Sequence, residues 1–107
     1  LGCVGSPAPD AALCRDVIHR LCRTPRCAVV DAAFPYGDAC EESLQVRSGC
    51  AAEDFTFTSP TRDRVLECRL PLVRVGTGVE QKPVCDDVAE ALERCGDVTQ
   101  FLNEGAK

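Results

Sequence analysis

The sequence predicts an all-α domain, a small disulfide-stapled bundle of four or five short helices. Three observations carry that expectation. Apolar residues recur at spacings of three and four along several segments, prolines and glycines punctuate the chain where helices would start and stop, and nine of the 107 residues are cysteine. A chain of about 100 residues forms one domain and buries only about 60 to 70% of its unfolded surface, so staples would compensate for a small core.

From Asp10 to Arg23, the residues Leu13, Cys14, Val17, Ile18, Leu21 and Cys22 fall on one stripe of a helix, with Asp10 placed to cap it. Thr24-Pro25 restarts the chain as cap and first-turn proline, giving a short helix to Phe34 stopped by Pro35; the Val29-Val30 pair suits a strand nearly as well. Asp38 and Glu41 have the spacing of a capping arrangement and Gly49 supplies a stop, so the next helix spans about 39 to 48. Asp54-Phe55-Thr56-Phe57-Thr58 alternates like a strand but has no obvious partner, and reads better as an extended loop inserting Phe55 and Phe57 into the core. Ser59-Pro60 opens a further helix with Val65, Leu66 and Leu70 inward and Pro71 near its end. Residues 75 to 82 read as a loop. Pro83 starts the last clear helix, through Val84, Val88, Ala89 and Leu92 to Gly96, with Asp86 and Asp87 in the first turn where the helix dipole favours carboxylates. Asp97 caps a terminal turn carrying Phe101 and Leu102.

Eight cysteines, Cys14, Cys22, Cys27, Cys40, Cys50, Cys68, Cys85 and Cys95, lie on or beside these segments, enough for four disulfides, with Cys3 left over. That density in a short chain points to an oxidising, extracytoplasmic compartment. Cys40-x9-Cys50 and Cys85-x9-Cys95 each span close to three helical turns, about 15 Å, so neither pair closes on itself. Two such helices packed antiparallel would join at both ends, Cys40 to Cys95 and Cys50 to Cys85, leaving Cys14, Cys22, Cys27 and Cys68 to pair among themselves. Eight cysteines allow about a hundred connectivities, of which this is one. The spacing resembles the twin C-x9-C arrangement of helical-hairpin proteins of the mitochondrial intermembrane space, although another helix separates the motifs here. The closest cysteines are Cys22-x4-Cys27, C-x2-C is absent and His19 is the single histidine, so neither a zinc site nor any other metal or cofactor is expected.

Cys3 follows Leu1-Gly2 and precedes the small, uncharged run VGSPAP, which reads as a tether because it can bury almost nothing. LGC followed by such a linker resembles the start of mature bacterial lipoproteins, over residues 1 to 9. The resemblance implies a diacylglycerol thioether on Cys3 and, with Val4 where an aspartate would alter sorting, an outer-membrane address. It also implies a signal peptide removed, in keeping with the absence of Met; no apolar run approaches the roughly 18 residues of a membrane span. Small cysteine-rich lipoproteins of this appearance occur in gliding and predatory soil bacteria, some supporting motility or cell contact. The expected organisation is an anchor and flexible tether over 1 to 9 and a single helical disulfide-rich domain over 10 to 107, held about 20 Å from Cys3 at full stretch.

A net charge of −5 argues against nucleic acid as a partner. Nucleophile elbow, phosphate loop, metalloprotease motif and C-x-x-C are all absent from the sequence, and His19, flanked at four residues by Arg15 and Arg23, reads as a surface histidine. Arg15, His19 and Arg23 line one face of the first helix with Arg20 and Arg26 close by, a candidate binding face for anionic lipid headgroups or an envelope protein. Asp86, Glu90 and Glu93 make an acidic counterpart on the last helix. The expected function is a noncatalytic interaction module of the cell envelope, not an enzyme. The alternatives are a freely secreted effector or inhibitor joined to a second chain through Cys3, and a small hydrolase built around His19.

Overall fold

The computed structural model describes residues 8–23, 27–76, 79–81 and 83–106, so Cys3, Thr24, Pro25, Arg26 and most of the tether lie outside the described residues. Among those described, six helices and one two-stranded ribbon follow in the order α1 (Pro9–Cys22), α2 (Ala28–Ala33), α3 (Cys40–Ser48), α4 (Arg62–Arg69), β1 (Arg74–Gly76), β2 (Val79–Gln81), α5 (Cys85–Arg94) and α6 (Gly96–Glu104). The architecture is the predicted all-α, disulfide-stapled bundle. The sixth helix is the expected terminal turn prolonged to nine residues, because Val98, Phe101 and Leu102 all bury on one side of it. The expected loop at 75–82 is instead a short antiparallel hairpin, with Arg74 opposite Gln81 and Gly76 opposite Val79.

Local chemistry explains each start and stop. Pro9 occupies the first turn of α1, where its missing N–H costs nothing, and Ala11, Leu13, Cys14, Val17, Ile18 and Leu21 are buried as one stripe. Asp10 lies inside that turn rather than capping it. Its carboxylate instead accepts from the Phe57 amide at 2.9 Å and pairs with Arg62 at 2.7 Å, pinning the extended segment that carries Phe55 and Phe57. The rings of Phe55, Phe57 and Phe101 then meet at centroid distances of 5.0 to 5.9 Å. Residues 28–33 are helical despite the two valines, and the stretch ends in the fully buried Phe34.

The capping arrangement expected of Asp38 and Glu41 is not formed: a 3-10 turn at Gly37–Ala39 leads into α3, whose cap position is Ala39 with no side-chain bond. Gly49 does end α3 as predicted, at φ 93°, and the Ala51 amide reaches back to the Gln45 carbonyl at 3.0 Å. α4 starts at Arg62 rather than Pro60, capped by the Thr61 hydroxyl, which accepts from the Arg64 amide at 3.2 Å. Val65, Cys68 and Leu72 form its buried side. Leu66 sits about 100° further round the axis and Leu70 one turn beyond it, so the two predicted core residues are on the surface, Leu70 at 69% exposure. Pro83 is buried ahead of α5, and the Asp87 carboxylate accepts from the Val84 amide at 3.0 Å to close the helix start.

α1 packs on α3, α3 on α6, α2 on α5, and α4 bridges α1 and α5. Three disulfides cross these contacts: Cys14–Cys50, Cys22–Cys40 and Cys68–Cys95, with Cα separations of 6.1, 5.7 and 6.1 Å. The predicted bonds Cys40–Cys95 and Cys50–Cys85 are therefore wrong in partner, though the device is present. An antiparallel helix pair is clipped at both ends, but it is α1 with α3: Cys22 at the end of α1 meets Cys40 at the start of α3, and Cys14 meets Cys50 just past Gly49. Cys14 and Cys22, eight residues apart on α1, were not among the C-x9-C pairs, and helix adjacency rather than equal spacing selects them. Cys27 and Cys85 are present as thiols. Gly105 (φ 86°) ends α6 against α3, where a Cβ would stand 3.1 Å from the Arg47 carbonyl oxygen.

Candidate functional site

The polar face of α1 was the predicted binding surface, and the fold uses much of it internally. Arg15 points at the end of α3, donating from Nε to the Cys50 carbonyl and from Nη2 to the Ala51 carbonyl, both at 2.8 Å. It thus satisfies carbonyls that leave the helix without a partner. Arg20 is only 11% exposed, donating from Nε to Asp16 at 2.9 Å and from Nη1 to the Leu72 carbonyl at 3.4 Å. Asp16 also accepts from Arg69 of α4 at 2.6 Å, which makes it the junction between α1 and α4. Burial works to raise the Asp16 carboxyl, but hydrogen bonds and charge from Arg69 and Arg20 outweigh it and hold the group below its ordinary value.

What remains on the surface is a chain of three side chains. His19 Nδ1 stands 2.7 Å from Glu41 Oε1 of α3, and Arg23 Nη1 is 3.2 Å from His19 Nε2. Both His19 and Glu41 are about half exposed, at 48 and 41% of the side chain. Both ring nitrogens of His19 are therefore engaged, Nδ1 by Glu41 and Nε2 by Arg23. A carboxylate-oriented imidazole is one component of an acid–base pair, but here its second nitrogen is engaged by a guanidinium. Arg26 lies outside the described residues.

Sequence reasoning missed the acidic half of this network, Asp16 and Glu41. Asp16 was visible at i−4 from Arg20, whereas its bond to Arg69 spans the fold. The acidic counterpart on α5 stays outside: Asp86, Glu90 and Glu93 are exposed, and Glu90 pairs with Arg94 on its own helix at 3.1 Å. The basic face of α1 and the acidic face of α5 are not joined by any ion pair among the described residues. A second cross-helix junction lies nearby, where Arg64 grips Asp97 with Nε at 3.1 Å and Nη2 at 3.0 Å and reaches the Arg94 carbonyl. The Arg64 hydrogen bonds hold the Asp97 carboxyl below its ordinary value.

A shallow cavity of about 120 Å³ is lined by Ser59, Pro60, Asp97, Gln100, Phe101 and Gly105. It is well below the size of an ordinary small-molecule site. Among the described residues, no group of three or more His, Cys, Asp or Glu side chains is placed to hold a metal ion, and no helix is long and apolar enough to cross a membrane. No family model, no curated protein and no solved structure matches the chain.

Proposed function

We propose that this chain is a noncatalytic interaction module of the cell envelope, tethered to the outer membrane through an acylated Cys3. The observation that carries the reading is the disposition of cysteines. Six of the eight cysteines from Cys14 onward are bonded within the domain, and the other two, Cys27 and Cys85, are thiols, the first in its buried cluster and the second packed against it. In this reading Cys3, in its LGC setting, carries the anchor rather than a structural bond. Two or three acyl chains on that residue would hold the domain stably at a membrane, where one would not. Three disulfides are also consistent with an oxidising compartment.

The partner surface is the exposed edge of α1 at His19 and Arg23, with an envelope protein or anionic headgroups as its complement. Arg15 and Arg20 are excluded from a clean test because they hold α3 and α4. The experiment is labelled-palmitate incorporation in a diderm bacterial host, with Cys3→Ser as control, followed by envelope crosslinking of wild type and Arg23→Ala/Arg26→Ala. Label lost with Cys3→Ser and crosslinks lost with the arginine pair are expected. An unlabelled Cys3 found as an interchain disulfide would replace this reading with that of a freely secreted effector. The hydrolase reading draws on the Glu41–His19 pair alone, and measurable hydrolysis abolished by His19→Ala would establish it instead.

A further inference from the structure

Cys27 and Cys85 are thiols in a fold whose other described cysteines are bonded, and they have been brought together from 58 positions apart (85 − 27). Cys27 caps the start of α2 and is 2% exposed; Cys85 is the first residue of α5 and half-buried. α2 packs on α5, and from the starts of these two helices Cys27 enters the buried cluster and Cys85 packs against it. We propose that Cys27 and Cys85 are the site of a fourth disulfide, a clasp between α2 and α5 that closes last and can open while the rest of the fold stands.

The order follows from geometry. The existing bonds close separations of 36, 18 and 27 residues, all shorter than 58, and two of them fix α1 to α3 alone. The Cys27–Cys85 encounter needs α2 and α5 already docked, so it comes after the bonds that build the core. The helices are already packed with both residues as thiols, so opening the bond need not displace either helix. Contact with Cys27, then loss of hydration, then the charges of Cys27 and Asp86 push the Cys85 thiol up to about 11. Little thiolate is present at neutral pH, which slows closure and suits a clasp rather than a redox catalyst.

Closure transfers two electrons and two protons from the pair to an oxidant of the disulfide class, small molecule or protein. The more accessible Cys85, as thiolate, attacks one sulfur of that disulfide, forming a mixed disulfide and releasing one oxidant thiolate. Cys27, as thiolate, then attacks Cys85 Sγ; the mixed bond breaks and the second oxidant thiolate leaves. The oxidant ends as two thiols, having taken up both protons.

The inference rests on the oxidising compartment of the proposed function and not on the lipid anchor. Its test is non-reducing peptide mapping of the full chain, exported by a bacterial host and alkylated on lysis, alongside Cys27→Ser/Cys85→Ser. A Cys27–Cys85 peptide pair is expected, formed later than the other three in a refolding time course. The double variant should keep the other three bonds and its helical circular dichroism, with a thermal midpoint lower by about 5 °C or more. Alkylated Cys27 and Cys85 beside three formed bonds, or either residue bonded to Cys3, overturns the clasp alone. All eight thiols alkylated overturns the clasp and the oxidising compartment together. A double variant that loses the other three bonds or its helicity, or one with an unchanged midpoint, also overturns it.

Discussion

Helices α1 and α3 are bonded at both ends, by Cys14–Cys50 and Cys22–Cys40, whereas α2 and α5 pack together with Cys27 and Cys85, at their starts, as thiols. The first pair is also tied by Arg15, which spans from α1 to the carbonyls beyond α3, and by the His19–Glu41 contact on its outer edge. Two covalent clips fix both the register and the direction of a helix pair, so polar side chains laid across it meet their partners without further ordering. α2 is six residues long, too short to persist alone, and depends on buried Val30 and Phe34 and on Asn103 of α6, whose amide donates to the Ala33 carbonyl at 3.0 Å. Covalent closure and side-chain closure thus serve different parts of one small domain.

The largest effect should come from unclipping α1 from α3. Cys14→Ala/Cys50→Ala opens a 36-residue separation and is expected to cost about 4 kcal/mol in denaturant unfolding, against about 3 for Cys22→Ala/Cys40→Ala with its separation of 18. A reversed order would mean that strain or residual structure, not chain entropy, sets the strength of the clips. Next, Arg15→Ala should lower stability by about 2 kcal/mol through two lost charged hydrogen bonds, with Arg23→Ala within about 0.5 kcal/mol. Equal losses from the two arginines would dissolve the distinction between the internal and external parts of the α1 face.

Asp16→Asn should cost about 1 to 2 kcal/mol, because it leaves Arg20 and Arg69 without their shared carboxylate, while the more exposed Asp97→Asn should stay within about 1 kcal/mol. The same pair carries a pH signature. The Asp16 carboxyl is held below its ordinary value in the folded state, so its contribution is fully present above about pH 4 and is lost as pH falls through the folded value. Wild type should therefore lose stability below about pH 4 more steeply than Asp16→Asn; parallel curves would remove Asp16 from the account. The smallest effect belongs to Leu70→Ala, within about 0.5 kcal/mol by thermal melting, where a core position would lose several times that.

Much of the fold was legible because its signals are local. Gly49 and the three–four stripe of α1 act over one or two turns, and each marked its element to within a residue or two, although Pro9, assigned to the tether, opens α1. The errors came where two local readings competed. Asp10 and Asp38 have the chemistry of caps, yet the first serves Phe57 and Arg62 across the chain and the second leaves α3 without a side-chain cap. Thr61 was passed over for Pro60, and Leu66 and Leu70 were read as inward although the buried stripe runs through Val65, Cys68 and Leu72. The predicted binding face was correct as a face of α1 but not as free surface, since Arg15 and Arg20 take partners 35 to 52 residues away and no helical pattern shows where those carbonyls will be.

By itself the sequence determined the helical class and the use of cysteines as staples between helices. Those follow from composition and from periodicities shorter than two helical turns. Tertiary structure alone decided which cysteines meet, which arginines are spent inside the fold and which leucines face water. Each of those depends on which helices become neighbours, and adjacency is settled by the summed burial of Ile18, Phe34, Leu44, Leu72, Val88 and Leu102 rather than by any one segment.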